Sequence, residues 1–437
     1  MWWRRCFGKY EESLDDRDPV LLISGIGGSI LHSKRKTNLG LQTRVWVRLL
    51  LADLEFKKHL WSLYNPETGY TEDLDEDSEV VVPEDDHGLF AIDILDPSLF
   101  VKFLHLTDVY QFHDLINMLV KYGYKKGTTL FGYGYDFRQS NRIEKSLTGL
   151  KEKLETAYAS AGNRKVNIIS HSMGGLLVSC FMSLHKDLFS KLVSKWVCIA
   201  CPFQGAPGCI NDSLLTGLQF VEGFASSFFV SRRSMHQLLI ECPSIYEMMP
   251  NPSFEWKQPP EITVWRRDSD SVRLVSYDPL ESVNLFEEAL KDNKVNYNGN
   301  SIALPFNNHI YTWAAGTRQL LDKGSLPPGV SFYNIFGTSY DSPFDVCYGT
   351  ETSPIDDLSA VCQTLPTYSY VDGDGTVPAE SAMADGLVAV ERVAVAGTHR
   401  GLLRDETVHK FILKWLGVEP SKTKKAGRVG DWWIIRN

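Results

Sequence analysis

A serine, an aspartate and a histidine, far apart in this chain, have the types and the order that acyl chemistry at a serine requires. Ser172 lies in the segment ISHSMG at 169–174, between a strand-like run and a helix-like run. Such a nucleophile elbow holds the serine Oγ above the sheet and directs backbone N–H groups toward it. Asp374 lies in the turn-rich segment DGDG at 372–375, and His399 follows the last strand-like run. In this chemistry the histidine takes the serine proton, and a buried carboxylate orients the imidazole and stabilises its cation.

The elbow segment by itself admits a second interpretation. Ser170 stands where such elbows usually have glycine, although serine is also small, and Ser172 could instead be an ordinary helix N-cap. The order Ser172, Asp374, His399, with the histidine in a loop after the last strand, is the order of α/β-hydrolases and favours the catalytic interpretation. The side chain of the neighbouring His171 is expected to point away from the nucleophile.

The oxyanion that forms during acyl transfer needs hydrogen-bond donors that are already in place. We expect the backbone N–H of Met173, directly after the nucleophile, and that of Ile26, in the glycine-rich segment SGIGGS at 24–29. Glycines let the chain turn sharply there and expose N–H groups. A phosphate-binding loop is the alternative for this segment, but the Lys-Ser/Thr ending that such a loop requires is absent.

Strand-like and helix-like runs alternate around these residues. A continuous apolar run, which is typical of a strand buried on both faces, occurs at 19–23, and further strand-like runs lie at 129–133, 166–170, 195–200, 331–337 and 390–396. Helix-like runs lie at 144–161 and 176–185. This alternation predicts an α/β-hydrolase fold with a mostly parallel central sheet. An irregular block predicts an inserted cap domain at 205–328, which divides the hydrolase core into 19–204 and 329–416.

The composition is that of a soluble globular protein and excludes several classes of function. With a formal net charge of −9 over 437 residues, the chain lacks the clustered basic face that nucleic acid requires. It has neither an apolar signal region near its start nor a run of about 18 apolar residues, so we expect a cytoplasmic protein. The acidic run at 72–86 lacks histidines at ligand spacing and is predicted to be a solvated loop. The eight cysteines are predicted to be buried thiols, and we expect no metal and no cofactor.

Six short motifs are together specific for one known family. They are SGIGGS at 24–29, GYDFR at 134–138, HSMGG at 171–175, PFQGAP at 202–207, DGDGTV at 372–377 and TH at 398–399. By these motifs the chain resembles the lecithin:cholesterol acyltransferase family, and within it the plant cytosolic phospholipase A-type members, over about residues 19–416. Asp136 and Arg138, in the second motif, are expected to form a structural ion pair near the site.

The resemblance implies a role for six residues and a lid. The six are the acyl nucleophile, Ser172; the triad acid, Asp374; a carboxylate that supports it, Asp372; the base, His399; and the two backbone oxyanion donors, Ile26 and Met173. The lid would lie between the first strand and the core, at about 38–64. This stretch contains no cysteine, which fits a reducing compartment and a mobile lid. Trp46 within it is expected either to contact lipid or to pack inside the lid.

The resemblance also implies an activity, that of a phospholipase A-type lipid acyl hydrolase. It would cleave glycerophospholipids such as phosphatidylcholine through an acyl-enzyme. Three alternatives stay open: an O-acyltransferase that moves the acyl chain to a sterol or another alcohol, a non-catalytic lipid-binding module of the same fold, and a soluble carboxylesterase. Residues 2–5 (WWRR) and 432–435 (WWII) are expected either to anchor the protein peripherally on membranes or to pack on its body.

Overall fold

The computed structural model describes residues 17–36, 42–47, 59–98, 109–223, 231–268 and 271–418. Its strands, in chain order, are β1 Val20–Ile23, β2 Leu31–Arg35, β3 Gln42–Trp46, β4 Ser62–Tyr64, β5 Thr71–Asp73, β6 Ser78–Val81, β7 Leu130–Tyr133, β8 Val166–His171, β9 Val193–Ile199, β10 Ile262–Asp268, β11 Ser271–Tyr277, β12 Lys294–Tyr297, β13 Asn300–Ala303, β14 Ser331–Thr338, β15 Tyr340–Tyr348, β16 Thr367–Gly373 and β17 Ala389–Ala396.

Twelve α-helices connect these strands in the described part of the chain. They are α1 His113–Lys121, α2 Glu144–Ser160, α3 Gly174–Leu184, α4 Lys186–Leu192, α5 Pro207–Leu215, α6 Leu218–Gly223, α7 Arg232–Leu239, α8 Pro243–Tyr246, α9 Ser282–Leu290, α10 Asn308–Asp322, α11 Ala379–Met383 and α12 Glu406–Leu416. Short 3-10 helices lie at Asp86–Gly88, Leu358–Gln363 and Gly401–Arg404.

A six-stranded parallel sheet forms the centre of the fold. Its strands lie in the order β7-β1-β8-β9-β14-β17, and every neighbouring pair is parallel. All six correspond to strand-like runs predicted from the sequence. Ile23, the last residue of β1, is paired with Ser170 near the end of β8, so the glycine-rich segment and the elbow leave the sheet side by side. The predicted α/β fold with a mostly parallel sheet is confirmed.

Different helices cover the two faces of this sheet. Side chains alternate along β1, so Leu21 and Ile23 pack in one hydrophobic core while Val20 and Leu22 pack in a second. The first core contains the buried faces of α2 and α3, which are the two predicted helices, and the second contains those of α1 and α12. Because both faces are covered, β1, β7 and β8 are buried at every position. The edge strand β17 instead alternates between half-buried and exposed residues over most of its length.

A second layer comes largely from the chain between β9 and β14. Helices α5 to α10 lie in this stretch, and α10 packs against α3 of the core. Strands β10 and β11 join β15 and β16 in a four-stranded sheet of order β11-β10-β15-β16. This sheet combines strands from before and after residue 328, where the predicted cap domain ends. The predicted domain boundaries, 205 and 328, stay a prediction.

The part of the chain between β1 and β7 forms smaller sheets. Within the predicted lid at 38–64, the described residues include β3 and β4, and the remainder, at 38–41 and 48–58, lies outside the described residues. The acidic run at 72–86 is not a loop throughout, because it contains most of β5 and all of β6. In the described ranges, no helix combines the length and hydropathy needed to cross a bilayer. The tryptophan-containing segments 2–5 and 432–435 also lie outside the described residues.

Candidate active site

Ser172 occupies a strained turn between β8 and α3. Its φ is +56°, in the left-handed region that side chains other than glycine rarely adopt. The Ser172 N–H donates to the carbonyl of Ile199 at 2.8 Å, which holds the turn against β9. A Cβ on Gly25 would lie 2.6 Å from the Ser172 Cβ, and a Cβ on Gly174 would lie 2.4 Å from the carbonyl oxygen of Ser24. The close approach of these segments therefore requires both glycines, as the elbow interpretation predicts.

His399 lies between the two other residues of the predicted triad. Its Nε2 is 2.8 Å from the Ser172 Oγ, and its Nδ1 is 2.7 Å from the Asp374 Oδ2. The Asp374 side chain is 1% exposed, and its second oxygen accepts from the N–H groups of Thr376 at 3.0 Å and Val377 at 2.7 Å. In this arrangement Nδ1–H donates to the carboxylate and leaves Nε2 to accept the serine proton. The fold brings together all three residues predicted from the sequence.

The two aspartates of the DGDG segment have different partners. The backbone N–H of His399 donates to the carbonyl of Asp374 at 2.8 Å, so main chain and side chain of Asp374 both hold the histidine. The Asp372 carboxylate instead accepts from the backbone N–H of Ser339, just before β15. Asp372 therefore supports the turn without contacting the histidine.

The two backbone groups expected to bind the oxyanion flank the serine. Met173 follows Ser172 in the chain, and Ile26 lines the same cavity as Ser172. In the described ranges, neither the N–H of Ile26 nor that of Met173 donates to another group, whereas the N–H of Gly28 closes the glycine-rich turn on the carbonyl of Gly25 at 3.1 Å. Both N–H groups are thus available to a ligand, and their role in binding the oxyanion stays a prediction.

His171 does not point away from the site, contrary to expectation. Its Nε2 is 2.9 Å from the carbonyl oxygen of His399, and the two rings lie 4.8 Å apart. Burial lowers the pKa of His171 well below its ordinary value, and the charge of His399 lowers it further, although the hydrogen bond to the His399 backbone raises it in part. The ring is therefore neutral, with its Nε2–H donated to the carbonyl. The loop that carries His399 folds back over the end of β8, which the local sequence does not indicate.

An apolar cavity opens beside the serine. Its wall includes Ala206, Cys209, Ile210, Phe220, Met248 and Val377. Such a wall suits a hydrocarbon chain attached to the reacting carbonyl. His399 also lines a neighbouring polar cleft, together with Thr398, Arg400 and Arg404. His399 and Arg400 thus border both the apolar cavity and the polar cleft.

Trp46 is buried rather than displayed on the surface. It is 2% exposed, its Nε1–H donates to the carbonyl of Gly27 at 2.7 Å, and its ring lies 5.3 Å from that of Phe137 and 6.5 Å from that of Phe220. Phe220 also lines the apolar cavity. Trp46 therefore packs between the glycine-rich segment and the cavity wall, and its predicted contact with lipid stays a prediction.

Comparison with known proteins places this chain in a family. The model of the family described as lecithin:cholesterol acyltransferase matches residues 46–385. The chain belongs to the lecithin:cholesterol acyltransferase family. This confirms the resemblance drawn from the motifs.

The sequences of two relatives from Arabidopsis thaliana align with most of this chain. Phospholipase A(1) LCAT3 is 67% identical over 429 residues, which cover 96% of each chain. Lecithin-cholesterol acyltransferase-like 4 is 52% identical and covers 92% of this chain and 76% of the relative. The crystal structure of the Tle4-Tli4 complex contains a chain that aligns with a TM-score of 0.52 and 15% identity, over 92% of this chain and 97% of that one. That likeness concerns the fold.

In this family member, the arrangement can perform acyl transfer at Ser172. A serine bonded to a histidine, an aspartate on the other ring nitrogen and two available N–H donors are the groups that the reaction needs. Across the described ranges, no three His, Cys, Asp or Glu side chains lie together in a way that could hold a metal ion.

Proposed function

We propose that this protein is a phospholipase A-type lipid acyl hydrolase, which cleaves acyl esters of glycerophospholipids with Ser172, Asp374 and His399 as its catalytic triad. The observation that carries the proposal is the 2.8 Å contact between the Ser172 Oγ and the His399 Nε2 at the wall of an apolar cavity. The name of the 67% identical relative, phospholipase A(1), supports this substrate class.

The first half of the reaction acylates the serine. His399 takes the Ser172 proton on Nε2 while the Oγ attacks the ester carbonyl carbon, and Asp374 stabilises the imidazolium. The oxyanion that forms accepts hydrogen bonds from the N–H groups of Ile26 and Met173. When the intermediate collapses, the bond from carbon to the glycerol oxygen breaks. His399 gives its proton to that oxygen, and a lysophospholipid leaves.

The second half releases the acyl chain. Water attacks the acyl carbon, His399 takes one of its protons, and the bond to the Ser172 Oγ breaks as that oxygen is reprotonated. The products are a fatty acid and the free enzyme. An alcohol in place of water would give transfer instead, and the family's name supports O-acyl transfer to a sterol or another alcohol as the second candidate function.

The proposal includes where the substrate lies. The acyl chain would enter the apolar cavity, and the charged head would lie in the polar cleft, where Arg400 and Arg404 suit a phosphate. Since phospholipids are held in bilayers, the enzyme would work in peripheral contact with membranes in the cytoplasm. The tryptophans and arginines at 2–5 and the tryptophans and isoleucines at 432–435 support such contact, because these residue types favour the membrane interface.

Labelling with a fluorophosphonate probe tests the nucleophile. We expect covalent labelling of the wild-type protein and none of Ser172→Ala. The matched control is Ser179→Ala, which removes a buried serine hydroxyl of α3 outside the apolar cavity, and this variant should label like the wild type. A wild-type protein that folds but is not labelled would support the non-catalytic lipid-binding module instead.

Product analysis tests the reaction. Vesicles of a phosphatidylcholine with different chains at its two glycerol positions are incubated with the enzyme, with and without sterol. Hydrolysis predicts free fatty acid in both conditions, and the identity of that acid assigns the position cleaved. Sterol ester would support transfer, whereas cleavage of short water-soluble esters with no cleavage of vesicles would support a carboxylesterase.

A further inference from the structure

Gln111 has a buried amide oxygen that nothing in the described part of the chain satisfies. The residue is 5% exposed and lines the same apolar cavity as Ser172. Its Oε1 is among the buried oxygen atoms that have no hydrogen-bond donor in the described ranges. A buried acceptor without a donor lowers stability, so such groups in active sites call for a ligand that donates.

A relay of hydrogen bonds fixes which way this amide faces. The carbonyl of His399 can only accept, so the His171 Nε2 at 2.9 Å must carry the hydrogen. Because burial keeps His171 neutral by lowering its pKa, its Nδ1 has a lone pair and must accept. The Gln111 Nε2 donates to that Nδ1 at 3.4 Å. If the amide were flipped, the Gln111 Oε1 would face the His171 Nδ1, and both of these atoms are acceptors. The amide therefore keeps the observed orientation, in which the Gln111 Oε1 has no hydrogen bond.

The amide also lies close to the glycine-rich segment, which carries one of the expected oxyanion donors. A Cβ on Gly28 would lie 3.0 Å from the Gln111 Nε2, and a Cβ on Gly25 would lie 3.1 Å from the Ser172 Oγ. The glycine-rich segment therefore touches Gln111 with one residue and the nucleophile with another. Because Gln111, Ser172 and His399 line the same cavity, a small donor held by the Gln111 oxygen would share that cavity with the acyl-enzyme.

We propose that the Gln111 Oε1 binds the water molecule that releases the acyl group from Ser172, and thereby favours hydrolysis over transfer. This inference rests on the acyl-enzyme of the proposed function. Water has two hydrogens: His399 receives one, and the other is donated to Gln111. A simple alcohol has only the hydrogen that His399 takes, so it gains nothing from the amide oxygen. An alcohol with a second hydroxyl regains the contact.

The step is balanced without any further reagent. The water oxygen bonds to the acyl carbon while one proton passes to the His399 Nε2, and the carbonyl electrons move to the oxyanion. The carbon–Oγ bond then breaks, and His399 returns the proton to the Ser172 Oγ. The hydrogen that was donated to Gln111 stays on the carboxyl group of the fatty acid.

The first test is the variant Gln111→Met, which keeps the length of the side chain but lacks the amide. On phosphatidylcholine vesicles with added ethanol, we expect fatty acid release to fall about five- to tenfold, as the loss of one hydrogen bond to the attacking water implies. Formation of the ethyl ester should change by less than about twofold, because ethanol does not use this contact. The ratio of ethyl ester to fatty acid therefore rises, while the rate of fluorophosphonate labelling stays within about twofold of the wild-type rate.

The matched control is Gln139→Met. Gln139 is also a buried glutamine, but its amide is bonded to the backbone of Thr71, outside the apolar cavity. We expect this variant to leave the ratio of ester to fatty acid unchanged, even if it is less stable.

The second test uses the wild-type enzyme and does not depend on how a variant folds. Ethylene glycol and ethanol are compared as acyl acceptors at equal concentration. Ethylene glycol should be preferred several-fold after correction for its two reactive hydroxyls, and Gln111→Met should lose the preference.

Three results would overturn the proposal. They are an equal fall of hydrolysis and ethanolysis in Gln111→Met, no change in either, or no preference for the diol in the wild type. The proposed function fails separately if the wild type turns over p-nitrophenyl butyrate but no phospholipid. The partition between water and ethanol can then still be measured on that ester. A folded protein that turns over neither substrate contradicts both proposals.

Discussion

The indole Nε1–H of Trp196 donates to the Ser170 Oγ at 2.9 Å, and both residues are fully buried. Trp196 lies on β9 and Ser170 on β8, so this bond joins two neighbouring strands directly beneath the elbow. The serine that replaces the usual glycine in the elbow is thus the acceptor for an indole that would otherwise be buried without one. Serine is small enough for the tight turn, and its hydroxyl accepts the hydrogen bond from the Trp196 indole.

We expect Ser170→Gly to destabilise the protein by about 1–3 kcal/mol, since it leaves the Trp196 N–H buried without an acceptor. Turnover should stay within about threefold of wild type, because the contact between Ser172 and His399 is unchanged. Urea unfolding measures the first effect and esterase assays the second. In a double-mutant cycle with Trp196→Phe, removal of the donor should recover part of the loss. Strictly additive effects of the two substitutions would contradict the role of this bond.

Replacement of each aspartate in the DGDG segment separates their roles. Asp374→Asn should lower kcat by about 10³- to 10⁴-fold, because an amide cannot stabilise the imidazolium and favours the wrong tautomer of His399. The matched control is Asp372→Asn. The Asp372 carboxylate contacts the backbone of Ser339 rather than the histidine, so the kcat of this variant should stay within about tenfold of wild type. Steady-state kinetics on one ester substrate decides, and similar losses in both variants would contradict the assignment.

Glu241 links the end of the predicted lid to the start of α10. Its carboxylate accepts from the backbone N–H of Tyr64 at 2.8 Å and from the Asn307 side chain at 3.2 Å. Burial raises the pKa of Glu241 from 4.5 to about 7, although the hydrogen bonds from Tyr64 and Asn307 lower it in part. Between these two values the folded protein binds more protons at Glu241 than the unfolded chain does, so stability falls as the pH rises through this window.

We therefore expect Glu241→Gln to gain stability relative to wild type as the pH rises from 5 to 8. The gain is at most about 3 kcal/mol, from about 1.4 kcal/mol for each pH unit between the two pKa values. Urea unfolding at several pH values measures it. Glu67→Gln, at an exposed position in the turn between β4 and β5, is the control and should show no such trend. A stability difference that is constant over this pH range for Glu241→Gln would refute the prediction.

Arg138 forms a buried ion network, and not only the ion pair expected from the sequence. It donates to both oxygens of Asp136, at 2.8 and 2.9 Å, and to Asp73 of β5 at 2.6 Å. We expect Arg138→Ala to cost about 3–5 kcal/mol in urea unfolding, because it leaves two carboxylates without their cation. The control is Arg267→Ala, whose bond to Asp356 is exposed and should contribute less than about 1 kcal/mol. Equal losses in the two variants would show that burial of the network has no special effect.

Much of the hydrolase core can be predicted from the sequence, since most strands of its central sheet are buried on both faces. Strand-like runs mark all six strands of the central sheet, and the stripe of Leu147, Leu150 and Leu154 marks α2. The second sheet gives a weaker pattern. Every residue of β11 is exposed or half-buried. Its sheet combines two strands that precede β14 in the chain, β10 and β11, with two that follow it, β15 and β16. Short partly exposed strands do not reveal their partners, so only the fold shows this sheet.

The sequence by itself determined the residue types and the order of the triad, the glycines of the elbow and the alternation of strands and helices. These features depend on backbone conformation and on hydrophobic patterns between near neighbours in the chain. Only the tertiary structure showed that Asp374 holds His399 through both its main chain and its side chain, that Ser170 accepts from Trp196, and that His171 and Gln111 form a relay behind the base. The separations in the chain are 25 residues for Asp374 and His399, 26 for Ser170 and Trp196, 60 for Gln111 and His171, and 228 for His171 and His399. No local pattern encodes the packing of the sheet and its loops that brings these pairs together.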